Sequence, residues 1–106
     1  MEIKASASLQ GLNIVMRPVL IIADDLWREF GRPEGVTVTS GTDGTHSAGS
    51  LHYYGYALDF RIRYFSEETI QRLYQELCKR LSALDDVSYE CFLESDHIHV
   101  EYEVIK

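Results

Sequence analysis

Positive charge is scarce in this sequence: 10 Lys and Arg stand against 17 Asp and Glu, leaving a formal net charge of −7. A surface of that sign is not built to neutralise nucleic-acid phosphates or anionic lipid, so no nucleic-acid partner and no membrane is expected. Long apolar runs are missing as well. The longest uncharged one, Val19 to Ala23, falls far short of the roughly 20 residues of a membrane span. The opening Met1-Glu-Ile-Lys-Ala-Ser6 has no basic segment followed by an apolar core, and a cytoplasmic protein without an export signal is expected. Cysteine is limited to Cys78 and Cys91, which lie inside apolar patterns and form no Cys-x-x-Cys pair; buried reduced thiols are predicted, and a disulfide scaffold is excluded. Two prolines, no repeat and no Pro/Ser-rich tract leave no linker. What remains is 106 residues, 45% hydrophobic, enough for a single domain spanning 1–106 with a modest core. A monomer is expected.

Local patterns give the elements. Val19, Ile22, Ala23, Leu26 and Phe30 recur at helical spacing, Pro18 is tolerable in a first turn, and Gly31 and Pro33 stop the chain, which predicts a helix over 17–30. The stretch 9–16 is either an earlier turn of that helix kinked at Pro18 or a separate short element. Val36-Thr-Val-Thr-Ser40 is β-branched and reads as a strand. The glycine-rich segment 41–55 reads as a long shaped loop, and such loops are usually functional. From Tyr56 to Arg63 the alternation puts Tyr56, Leu58, Phe60 and Ile62 on one face and Ala57, Asp59, Arg61 and Arg63 on the other. Ser66 before Glu67 and Glu68 starts a second helix over 67–84, with Glu68/Arg72 and Glu76/Arg80 as surface pairs. Strands at 87–93 and 98–104 close as a hairpin over Glu94-Ser-Asp-His97, leaving His97, His99, Glu101 and Glu103 on its polar face. The predicted class is α+β: a small, mostly antiparallel sheet with helices packed on one face.

The opposite, polar face carries the chemistry. Among His46, His52, His97 and His99, the sensible metal sets combine His52, Asp59 and one of His97 or His99. Two histidines and one carboxylate with a fourth position open are the composition of a catalytic zinc site. Asp96, three residues before His99, is placed to take a proton beside the open position. Singly, each residue has an ordinary reading as a solvated loop histidine, an ion-pair partner of Arg61 or Arg63, or an exposed strand face; their joint occurrence sets a metal site beside those readings as an equal alternative.

Ser50-Leu-His52-Tyr-Tyr-Gly55-Tyr-Ala57-Leu-Asp59 resembles the Ser-x-His-x-x-Gly-x-Ala-x-Asp signature of the zinc D-alanyl-D-alanine carboxypeptidase and dipeptidase family, which includes phage endolysins. Asp96-His97-Ile-His99-Val-Glu101 resembles that family's second motif, and Val36-Thr-Val-Thr-Ser40-Gly41 resembles its strand leading into the site. The resemblance covers roughly residues 12–104. It implies a Zn2+ ion held by His52, Asp59 and His99 on the sheet face away from the helices. It further implies Asp96 as general base and His97 as a group that stabilises the transition state.

One departure stands out. Family members commonly follow Ser-Gly with an aromatic residue and an Arg that binds substrate, whereas here Thr42 and Asp43 follow, and Asp43 reverses the charge. Either the substrate differs, or another cation such as Arg61 or Arg63 substitutes, or the domain keeps its metal without the activity. Ser50, His46 and Tyr54, with Tyr53 beside it, are further candidate substrate contacts, each with an alternative as an ordinary turn or loop residue. The function implied is hydrolysis of a D-Ala-D-Ala or L-Ala-D-Glu bond in peptidoglycan stem peptides, or of a D-Ala-containing dipeptide, by a metallopeptidase; an endolysin would reach the wall through a holin. The alternative is a catalytically impaired, zinc-stabilised protein-binding domain of the same fold, as in hedgehog signalling domains.

Overall fold

The computed structural model describes residues 1–43, 51–52 and 54–103. Its elements are β1 (Glu2–Ile3), a 3-10 turn (Ile14–Met16), α1 (Arg17–Glu29), β2 (Thr37–Ser40), β3 (Ala57–Arg61), α2 (Glu67–Leu84), β4 (Tyr89–Leu93) and β5 (His97–Tyr102). The class is α+β. The strands form one sheet in the order β1-β2-β3-β5-β4, antiparallel throughout except that β1 lies parallel to β2. That edge pairing makes the sheet mixed rather than purely antiparallel; a strand of two residues is too short to announce itself by alternation.

The helices form for local reasons. The Ser66 hydroxyl accepts from the Thr69 backbone N–H, Glu67 and Glu68 sit at the positive end of α2, and Leu73, Leu77 and Leu81 bury one stripe. Pro18 lies in the first turn of α1, where its missing N–H costs nothing. Segment 9–16 resolves into the separate 3-10 turn, capped by Asn13 and running straight into α1. Of the expected surface pairs, Arg80–Glu76 forms and Arg80 also reaches Glu29 of α1 at 2.7 Å, tying the helices together. Arg72 instead covers the ring of Phe30. Cys78 and Cys91 are free thiols but only half-buried.

Alternation along β3 and β5 divides the sheet. Leu58 lies opposite Val100 and Phe60 opposite Ile98, all four buried in one core with the stripes of α1 and α2. At its centre Trp27 packs edge-on to Phe60 and Phe65 and donates its indole N–H to the Arg61 carbonyl at 3.0 Å. The intervening pairs, Asp59 with His99 and Arg61 with His97, belong to the other face.

Gly55 turns the chain from His52 into β3. Its φ is +80°, and a Cβ there would stand 2.5 Å from the Gly11 carbonyl oxygen, in the gap where Asn13 donates its backbone N–H to the Gly55 carbonyl. Gly55→Ala is therefore expected to destabilise the protein by about 1–3 kcal/mol in denaturant unfolding. Gly11→Ala, at a similar φ of +79° with nothing within 4 Å, should cost visibly less.

Candidate metal centre

A row crosses the polar face from Ser40 (β2) through Asp59 (β3) and His99 (β5) to Phe92 (β4). His52, only 6% exposed, comes in from the preceding loop. The carbonyl of Gly41 can only accept, so at 2.9 Å it fixes the proton on His52 Nδ1 and leaves Nε2 as the unprotonated nitrogen facing the site. Glu101 does the same for His99: its Oε1 lies 2.8 Å from Nε2, leaving Nδ1 toward the site. The two remaining nitrogens converge on one oxygen of Asp59, at 3.3 Å from His52 Nε2 and 2.8 Å from His99 Nδ1, and lie 3.3 Å from each other.

Three electron-rich atoms at these separations repel unless a cation lies among them. His52, Asp59 and His99 form a group that could hold a metal ion. Two imidazole nitrogens and one carboxylate oxygen, each imidazole held from behind by a carbonyl or carboxylate, match a centre that keeps an open position for water or substrate. In the absence of metal a proton serves. Burial disfavours the charged His99 ring, but hydrogen bonds to Asp59 and Glu101 outweigh it and raise His99 above its ordinary value. Burial likewise raises the Asp59 carboxyl, and hydrogen bonds from His52 and His99 reverse this, holding it far below the usual carboxylate range.

His97 approaches the same oxygen, its Nε2 3.7 Å from Asp59 Oδ1, and its Nδ1 lies 2.7 Å from Asp96. Asp96 is exposed, and its hydrogen bond with His97 keeps its carboxyl below the ordinary range. The ring of Phe92, 5.9 Å from that of His99, borders the site on the other side. Asp43 is occupied structurally: its carboxylate accepts from the backbone N–H groups of Gly41 and Ser8 and from the Ser40 hydroxyl, clamping the segment that presents the Gly41 carbonyl to His52. Tyr54 is exposed. Ser50, His46 and Tyr53 lie outside the described residues.

Glu101 and the Gly41 carbonyl are the participants that sequence reasoning assigned no role. The spacing of Glu101, two residues after His99 on one strand face, was the available signal. Compared with known proteins, the chain matches no family model, no curated protein and no solved structure.

Because the raised His99 value stabilises the metal-free fold fully below its unfolded value near 6.5 and that contribution is lost as pH rises through the folded value, metal-free protein should lose stability as pH rises above about 6.5. Zinc at about 100 times its dissociation constant should restore about 2.7 kcal/mol, read as a chelator-reversible rise in melting temperature, and its affinity should fall as pH drops and the proton retakes His99. Glu101→Gln keeps all three ligands but should weaken zinc about 10- to 100-fold in competition with a chromophoric chelator.

Proposed function

We propose that the chain is a zinc-dependent peptidase acting on peptidoglycan stem peptides, at a D-Ala-D-Ala or L-Ala-D-Glu bond. The observation that carries this reading is the convergence of His52 Nε2 and His99 Nδ1 on Asp59, with the His97–Asp96 pair alongside on the same open face. Zinc in such a set supplies Lewis acidity toward the scissile carbonyl and an acidified water near neutral pH.

The chain's own residues supply the proton transfers. The 2.7 Å contact between His97 Nδ1 and Asp96 leaves Nε2 as the basic atom nearer the centre. His97 takes the proton shed by the attacking water and passes it to the leaving amine. Asp96, with its basicity reduced by that hydrogen bond, holds the tautomer and stabilises the imidazolium rather than acting as the lone base. The sequence spacing and the resemblance point to Asp96 as base; in the reading proposed here His97, whose Nε2 lies 3.7 Å from Asp59, takes that role with Asp96 behind it. A phage endolysin delivered by a holin is the setting that the resemblance suggests for such an enzyme. Among the described residues no helix is long and apolar enough to cross a membrane.

Mass spectrometry of defined stem peptides after incubation with zinc-loaded protein tests the reading. Loss of one D-Ala, or scission after L-Ala, is expected, and a chelator should stop it. His52→Ala should abolish both metal binding and hydrolysis. Asp96→Asn and His97→Gln should each lower kcat/KM by about 10²- to 10⁴-fold with zinc affinity little changed. Intact peptide beside a fully loaded centre would instead favour the metal-pinned binding domain.

A further inference from the structure

Away from the polar face, two thiols meet where α2 packs on the edge strand β4. Cys91 pairs with Val100 in the ladder and so points to the core side of the sheet, toward the helices. Tyr74 of α2 donates its hydroxyl to the Cys91 carbonyl at 3.0 Å, which pins the helix to the strand at that level. Cys78 follows Tyr74 by four residues, one turn on along the same face of α2. The Cys78 and Cys91 thiols therefore face each other, close enough to share a side-chain hydrogen bond, with the Tyr74 oxygen beside Cys78. Both are free and only half-buried, so a small reagent can reach them. Neither has a part in the candidate metal centre.

We propose that Cys78 and Cys91 form a modification site, at which exchange with a small-molecule disulfide such as oxidised glutathione closes a reversible crosslink between α2 and β4. Atoms and electrons balance over two exchanges. The Cys78 sulfur, its proton given to solvent, bonds to one sulfur of the reagent, breaks the reagent's S–S bond and expels one thiolate, which takes up a proton. Cys91 then gives up its proton and bonds to the Cys78 sulfur, expelling the second small thiol in the same way. Two protein thiols are thereby oxidised to one disulfide, and the reagent is reduced to two thiols. The order of attack follows from the surroundings. Burial and the adjacent Cys78 sulfur push the Cys91 thiol up, so Cys91 keeps its proton and reacts second, when its target sulfur is already at hand within the same chain. The fold is complete without the bond, since both cysteines are free in it. What the bond adds is a tie on a sheet edge: β4 is the terminal strand beyond β5, and its Phe92 lies opposite His99. Oxidation therefore fastens the strand that borders the candidate metal centre. The inference stands on the helix–strand contact and is independent of the peptidase reading.

The test equilibrates dilute, metal-free protein in buffers of stepped reduced-to-oxidised glutathione ratio, quenches with acid, and counts free thiols by alkylation and mass spectrometry. The expected product is a monomer two hydrogens lighter, with neither cysteine alkylated and no glutathione attached. Because the thiols are already opposed, the folded chain should show an effective thiol concentration at least tenfold above that of the urea-unfolded chain. The crosslink closes a loop of about 15 residues and should raise the melting temperature by about 5–15 °C. Cys91→Ser should stop at one glutathione attached to Cys78, and Cys78→Ser should take up glutathione at least tenfold more slowly. Two thiols still alkylated under oxidised glutathione would overturn the site. So would a mixed disulfide that persists on the wild-type chain, dimers in place of the internal bond, or a folded chain that closes no more readily than the unfolded one. These outcomes are read on the wild-type protein and do not depend on a variant's folding. Faster uptake by Cys78→Ser than by Cys91→Ser would overturn the order of attack.

Discussion

Asp59 Oδ1 is the atom on which the polar half of this protein converges. His52, His97 and His99 all turn a nitrogen toward it, and two of those rings are pinned from behind, by Gly41 and Glu101, so that they cannot rotate away. A cluster of acceptors held in this way is stable only with positive charge inside it. The proton between Asp59 and His99 meets that need in the metal-free protein, and a metal ion could meet it by taking all three donors at once. The buried face of the sheet, the glycine turn before β3 and the clamp made by Asp43 can each be understood as the scaffold of that convergence.

The same alternation that builds the core builds the site. Leu58, Phe60, Ile98 and Val100 are fully buried, and their neighbours Asp59, Arg61, His97 and His99 are therefore forced to the opposite face in register. Helices α1 and α2, far from the chemistry, matter because they hold the apolar rows down. Trp27 links the two halves most directly, packing in the core while its indole N–H donates to the backbone carbonyl of Arg61, whose side chain lines a concavity beside Asp59 and His97.

Elements whose cause is local were legible in the sequence. Helix α2 runs over Glu67–Leu84 as its cap and stripe predict, and α1 differs from expectation only at its last residue. The His52, Asp59 and His99 group was legible because strand alternation and a motif resemblance pointed to the same residues, and the structure brings these three together. What local pattern could not reveal depends on residues distant along the chain. β1 exists only because β2 offers an edge, and Asp43 is engaged because Ser8 folds back against it. Glu101 was visible as a polar-face acid, but its bond to the His99 ring requires a side-chain geometry that spacing alone does not supply.

The cross-strand match of Asp59 with His99 has a consequence for assembly. Sliding β5 by one residue against β3 would expose Ile98 and Val100 and at the same time carry His99 to the wrong side, so a misaligned sheet loses its core and its ligand together. One register therefore serves both the core and the candidate metal group, and any ion held by that group would favour correctly threaded molecules.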